Sequence, residues 1–226
     1  LNTPFLKKVY LQWYQYFCKV YERHPQGQYL ELGSGGGFLK DLLPNVITSD
    51  ILPLPYVDMQ MNAEQLSFEN ESLDGIFLLN VFHHIPRPYL FLKEAERTLK
   101  KNGTIIMIEP ANTLFSRYIY KHFHHEPFDE NGPLFISEGK PLSHSNQAMP
   151  YIYFIRERKY FQKNFPSLKI SDIHHHTTLL YLLSGGVSYY PFVPNFLFSF
   201  FQFLEKIASP LQPYTALFCT IIIKKQ

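Results

Sequence analysis

The chain predicts an α/β protein built on a doubly wound, mostly parallel sheet. Three observations carry that expectation. Short apolar runs of strand length alternate with segments of helical spacing between residues 28 and 110. One of them, "YLEL", runs straight into the glycine cluster "GSGGG". Another, "TIIMIEP", is halted by a proline. Regular strand–helix alternation lays parallel strands side by side and covers both faces with helices.

In chain order, residues 4–23 place Leu6, Val9, Tyr10, Trp13, Tyr16, Phe17 and Val20 at helical spacing, with Pro4 suited to the first turn. "HPQG" ends this opening helix. Strands are expected at 28–32 and 45–50, separated by a short helix over 36–43. A third strand fits 56–60, and the apolar run at 75–81 reads as a fourth. Residues 87–103 carry leucines at helical spacing, late basic residues and a closing glycine, so a helix is expected there. The fifth strand is 104–110. The rhythm breaks over 111–150, which is dense in Pro, Gly, Asn and Ser, and resumes with a helix at 151–164 and a strand at 168–173. A long aromatic connection, 177–213, precedes a last strand at 216–225.

A chain of 226 residues can bury one core, so a single domain with a cap is expected. Charged residues make up only 18% while aromatics reach 17%, a balance suited to an apolar pocket. A net charge of +2 with no basic stripe argues against nucleic acid. Cys18 and Cys219 form neither a disulfide framework nor a zinc spacing. No run reaches the roughly 20 apolar residues of a membrane span. The opening "LNTPFLKKVY" has no initiator Met and lacks the order of a signal peptide. The expectation is a soluble, cytoplasmic protein.

The glycine cluster fits neither common phosphate cradle. Phe38 stands where the dinucleotide pattern needs its third glycine, and no Gly-Lys-Ser/Thr follows. What is present is "ELGSGGG", Glu31 to Gly37, with a second acid, Asp50, closing the next strand. Glycines let a ligand lie against the backbone, and an acid at that place can accept from a ribose diol.

These residues resemble the class I S-adenosylmethionine-dependent methyltransferases, in the small-molecule, type 11-like group. "MNAEQLSFENESLDGIFLLNVFHHI" (61–85) and "EAERTLKKNGTIIMIEP" (94–110) resemble later parts of the family's core, in its order and spacing. The resemblance covers roughly residues 27–110. It implies a Rossmann-like methyltransferase fold of seven strands with the last antiparallel, and S-adenosylmethionine as cofactor, released as S-adenosylhomocysteine. Residues 1–26 then form an N-terminal helical segment, 27–110 the cofactor-binding core, and 111–150 and 177–213 the insertions that cap the acceptor.

The resemblance also implies roles. Glu31 orients the glycine loop or meets the methionine amino group. Gly33 and Gly35 admit the methionine and ribose, with Ser34 between them, and Gly37 keeps the next helix close. Asp50 binds the ribose hydroxyls beside Ile51. Asn62 and Ala63 face the adenine, with Leu66 against its ring. Asn80 offers its carbonyl to the amino-acid end, with Val81 nearby. Asn62 departs from the family's usual Asp, though an amide oxygen still accepts a hydrogen bond. In "KKNG" the Asn tolerates a left-handed turn.

The implied activity is transfer of the cofactor's methyl group to a small or lipid-like acceptor, at oxygen, mainly by positioning. His83 and His84, just past the fourth strand, are candidates for a general base; the competing reading is packing and capping. His122, His125, Glu126 and Asp129 offer donors that suit zinc or manganese but read as a solvated loop, and no metal is assigned. The "HHH" at 174–176 reads as solvated. The aromatic helix near 195–207 is read as core or cap, with a dimer contact or peripheral membrane contact as alternatives; the chain is taken as monomer or homodimer. Rival functions are a non-catalytic cofactor-binding or interaction protein and, against the glycine pattern, a nicotinamide-dependent oxidoreductase.

Overall fold

The computed structural model describes residues 3–136, 144–187 and 189–226. Residues 1–2, 137–143 and 188, parts of the N-terminal segment and of the two expected insertions, lie outside the described residues.

Seven strands form one sheet: β1 (Tyr29–Leu32), β2 (Val46–Asp50), β3 (Met59–Gln60), β4 (Leu73–Leu79), β5 (Leu99–Pro110), β6 (Leu168–His176) and β7 (Phe218–Lys225). Their order is β3-β2-β1-β4-β5-β7-β6. The strands from β1 to β5 pair in parallel, and β7 lies antiparallel between β5 and β6. From β1 the chain steps outward to β2 and β3, then returns to the other side of β1 with β4. That reversal opens a crevice at the carboxyl ends of β1 and β4, where open α/β sheets bind ligands.

All four residues of β1 are buried, as a central strand covered on both faces requires. α1 (Pro4–Tyr21) packs on β4 and β5. Its buried stripe shares Leu6, Val9, Trp13 and Phe17 with the spacing read from the sequence and adds Phe5 and Tyr14, while Tyr10, Tyr16 and Val20 are only partly buried. Phe17 stacks on Phe77 of β4 at 4.8 Å, and Trp13 meets Phe218 of β7 at 4.6 Å. The Trp13 indole N–H donates to Thr177 Oγ1 at 2.9 Å, so the ring is buried without an orphaned donor.

Several boundaries differ from expectation. α2 is a single turn, Leu39–Leu42. α3 (Pro88–Thr98) stops five residues before the closing glycine, because Leu99 pairs with Leu73 and starts β5 across a bulge. Asn102 takes the left-handed conformation at φ +66°, as "KKNG" suggested. α4 (Leu114–Phe123) begins with a reciprocal Thr113–Ser116 capping box. The helix expected over 151–164 divides into α5 (Met149–Tyr151), a π-helical stretch (Ile152–Arg156) and α6 (Arg158–Asn164). α7 (Leu179–Ser184) ends on Gly185 at φ +73°.

α8 (Phe198–Ile207) is followed by α9 (Gln212–Thr215). The core reading of this aromatic helix does not hold: on α8 only Phe198 and Glu205 are buried, while Phe200, Phe203 and Ile207 stand out. The Glu205 carboxylate accepts from the backbone N–H groups of Thr178 and Leu180, so a charged residue anchors the helix and its rings face away. The histidine triplet also departs from a solvated reading. His176 is buried, bonded to Thr177 Oγ1 at 2.7 Å and Thr220 Oγ1 at 2.8 Å. Among the described residues no helix is long and apolar enough to cross a membrane.

Candidate active site at the carboxyl edge of the sheet

The loop leaving β1 turns on two left-handed glycines, Gly33 at φ +64° and Gly35 at φ +45°. A side chain at Gly36 would meet nothing within 4 Å, so the loop borders open space. At Gly37 a Cβ would lie 2.7 Å from the Ser34 carbonyl oxygen and 2.8 Å from the Tyr14 hydroxyl, which leaves room for hydrogen only.

Asp50, at the end of β2, is buried and holds this loop. One carboxylate oxygen accepts from Gly35 N–H at 3.0 Å and the other from Leu52 N–H at 2.9 Å. Each oxygen keeps a second lone pair, so further donors can still be received. Ser34 N–H donates to the Ser49 carbonyl, and Ser49 N–H returns to Ser34 Oγ. Ile51 follows Asp50 and accepts from the Gln60 side chain.

Glu31 is buried, and burial raises its pKa from the ordinary 4.5 to about 7, with the Ser34 hydroxyl opposing the rise. A carboxyl so placed gains from a cationic partner. Tyr14 of α1 lies close enough that the Glu31 charge adds to the burial that raises the tyrosine's own pKa. Phe38 sits under Tyr10 and Tyr14, at 6.5 and 5.1 Å, with Lys7 over its face at 4.9 Å. The N-terminal helix therefore covers the glycine loop. The apolar stripe read from the sequence left Tyr14 out and gave no sign of this neighbour.

Beyond β3, Asn62 is exposed, with Oδ1 accepting from Glu64 N–H and its carbonyl from Gln65 N–H. Ala63 is half-buried next to it, and Leu66 is buried in the core. At the end of β4, Asn80 adopts φ +56° and its buried Oδ1 has no hydrogen-bond partner. A buried, unpartnered amide oxygen in a folded chain invites a ligand donor. Val81 closes the crevice against Gly33.

One carboxylate organises the turn after β4. Glu109, on β5 and fully buried, accepts from the backbone N–H groups of Val81 and Phe82, both at 2.8 Å. Its other oxygen lies 2.6 Å from His83 Nδ1. His83 Nε2 then faces Glu126 at 3.4 Å, and His84 Nε2 faces the same carboxylate at 3.5 Å. Burial works against charge on His83, but Glu109 and Glu126 prevail and raise its pKa to about 9. His84 falls to about 4, through burial first and the His83 charge second. Glu126 is held well below the usual carboxylate range, where the His83 bond and charge outweigh its burial.

Thus the structure gathers His83, His84 and Glu126. It leaves His122 exposed near the end of α4, bonded to the Tyr118 carbonyl, while exposed His125 keeps only a longer contact with Glu126, at 3.7 Å. Asp129 instead caps its own loop, accepting from Asn131 N–H. Glu109 was not legible as a functional residue: it reads as one acid ending a buried strand, and a fully buried unexplained acid was the available signal.

Residues 30–107 match a family model described as a methyltransferase domain. Solved structures share the fold across nearly the whole chain at low identity. A methyltransferase from Archaeoglobus fulgidus aligns at TM-score 0.58 and 16% identity, covering 96% of this chain and 94% of that one. One from Methanosarcina mazei aligns at TM-score 0.51 and 14% identity, covering 88% and 92%. A Thermotoga maritima protein described as a possible histamine N-methyltransferase aligns at TM-score 0.50 and 17% identity, covering 97% and 96%. No curated protein matches the chain.

The residues present fit S-adenosylmethionine. Open space over Gly36, the orphaned Asn80 Oδ1 and the proton-holding Glu31 suit an amino-acid end that carries a cationic amino group. The chain also retains acceptor capacity on Asp50 for a diol.

Proposed function

We propose that the enzyme methylates a hydroxyl oxygen on a small or lipid-like acceptor. The observation that carries this is the cap at the carboxyl edge. On α4 the side chains of Leu114, Tyr118 and Phe123 are each more than half exposed, and α4 packs on α9, where Tyr214 is also exposed. Exposed apolar rings at this edge favour an apolar acceptor.

The cofactor-binding set is Glu31, Gly33, Ser34, Gly35, Gly37, Asp50, Ile51, Asn62, Ala63, Asn80 and Val81. S-adenosylmethionine supplies an electrophilic methyl group on a sulfonium that leaves as a neutral thioether. The chain's own part is to hold that group and the acceptor in line and to exclude water. The His83–His84–Glu126 cluster receives the acceptor's hydroxyl, Glu109 holding His83 in place for it.

The test is a methyl-label transfer screen over hydroxylated acceptors of graded apolarity, with amine-bearing analogues beside them. Label in an ether or ester product of an apolar alcohol, phenol or acid supports the reading. Label found only on nitrogen would overturn the oxygen assignment, and turnover of strongly polar acceptors alone would overturn the apolar one.

A further inference from the structure

We infer that His83, His84 and Glu126 form a binding site for one divalent transition-metal ion, of the zinc, cobalt or manganese kind. The three donors come from the turn after β4 and from the loop after α4, segments brought together only by the fold. One ligand atom from each of His83, His84 and Glu126 lies within 4.8 Å of the other two. His83 Nε2 stands 3.4 Å from Glu126 Oε2 and His84 Nε2 3.5 Å from Oε1, so the carboxylate faces both rings with its two oxygens. Those separations are long for charge-assisted hydrogen bonds, which run at about 2.7–2.9 Å. They match the edge of a coordination shell: ligands about 2.1 Å from a tetrahedral zinc stand about 3.4 Å apart.

The surroundings are those of a metal site. The Glu109 carboxylate on His83 Nδ1 leaves Nε2 as the ring's outward donor, which is the carboxylate–histidine–metal relay. The Gln147 amide, itself buried, donates to Glu126 Oε2 at 3.0 Å and steadies the carboxylate. Two carboxylates at one buried turn, Glu109 and Glu126, supply negative charge for a dication. Two imidazoles and one carboxylate select first-row transition metals over magnesium or calcium, and they leave coordination positions open.

The role of the ion rests on the proposed transfer to oxygen. An acceptor hydroxyl at an open position would lose its proton more easily. The O–CH3 bond then forms as the C–S bond breaks, and the proton passes to solvent. Binding of the ion does not depend on that reading.

The experiment uses the full-length protein, stripped with a chelator and titrated with Co2+, then Zn2+. One equivalent of Co2+ should give visible d–d absorption that Zn2+ bleaches. His84→Ala and Glu126→Gln should abolish that equivalent, and His122→Ala, exposed on α4 and bonded to the Tyr118 carbonyl, should keep it. Glu109→Gln should weaken it by about ten- to a hundredfold. Calorimetric binding of S-adenosylhomocysteine should persist in His84→Ala and Glu126→Gln, which shows that both variants are folded. A wild-type protein that takes up neither ion, or variants that bind Co2+ as tightly as wild type, would overturn the site. Metal binding without S-adenosylhomocysteine binding would instead sink the cofactor reading and leave the metal site standing.

Discussion

Gly33 and Val81 close on each other across the crevice: a Cβ at Gly33 would stand 2.4 Å from Val81 Cγ2. The loop after β1 and the loop after β4 thus touch at the point where the strand order reverses. Gly33→Ala adds both a clash and a left-handed alanine, the latter worth about 1–2 kcal/mol. The melting temperature should fall by at least ~2–4 °C for each kcal/mol lost. Adding Val81→Ala should recover the part due to the clash and leave the part due to φ. A double variant no more stable than Gly33→Ala would show that the contact is unimportant.

Asp50 ties the glycine loop to β2 while keeping acceptor capacity for a ligand. Losing a charged acceptor costs about 1.5–3 kcal/mol, so Asp50→Ala should weaken S-adenosylhomocysteine binding by about ten- to a hundredfold. Isothermal calorimetry reads this directly, with NADH and ATP giving no heat. Unchanged affinity would place the ribose elsewhere.

With Glu31 in its proposed place beside the amino group, cofactor affinity should depend on pH with a definite sign. Its carboxyl keeps a proton up to about pH 7 in the folded chain, against 4.5 ordinarily. Folding therefore takes up a proton between those values, and this group's contribution to stability falls as pH rises through that window. A cationic amino group binding beside Glu31 favours the carboxylate and expels the proton. Affinity for S-adenosylhomocysteine should thus rise about tenfold between pH 6 and 8. The same slope in Glu31→Gln would assign the proton to another group.

Glu109 is the buried keystone of the turn after β4, and Glu109→Ala strands two backbone N–H groups and the His83 ring. Breaking a buried charged pair costs about 3–5 kcal/mol, so a clear loss of thermal stability is expected. Asp50→Ala, nearer the surface of the crevice, should cost less by the same thermal melt.

The outward rings of α8 are not part of the core. Phe200→Gln with Phe203→Gln should change stability by no more than about 0.5 kcal/mol per site. Denaturant unfolding checks this; a loss of several kcal/mol would restore the core reading.

Much of the fold was legible because it is local. α1's apolar stripe, the buried "YLEL" and the proline-stopped β5 announce themselves by spacing, which depends on helix or strand geometry alone. The glycines and Asp50 were legible for a related reason: a tight turn and an acid at a strand end have few other uses in such a sheet. The boundary of α3 was not legible, because Leu99 leaves the helical pattern only to pair with Leu73, a partner on another strand. The direction of α8 was hidden likewise. Its composition is apolar on nearly every side, and the contact that orients it runs from Glu205 to two N–H groups far back in the chain.

The sequence by itself determined the strand–helix order, the opening helix and the glycine loop with its two acids, and through them the resemblance that implies the kind of cofactor. Only the tertiary structure decided which side chains meet at the carboxyl edge. It put Glu109 behind His83, drew Glu126 to the imidazoles of His83 and His84 and away from His122, and laid Tyr14 against the glycine loop. The physical reason is that periodicity records how a segment meets its own helix or strand, whereas a buried charge is stabilised by partners that the chain reaches only after it has folded.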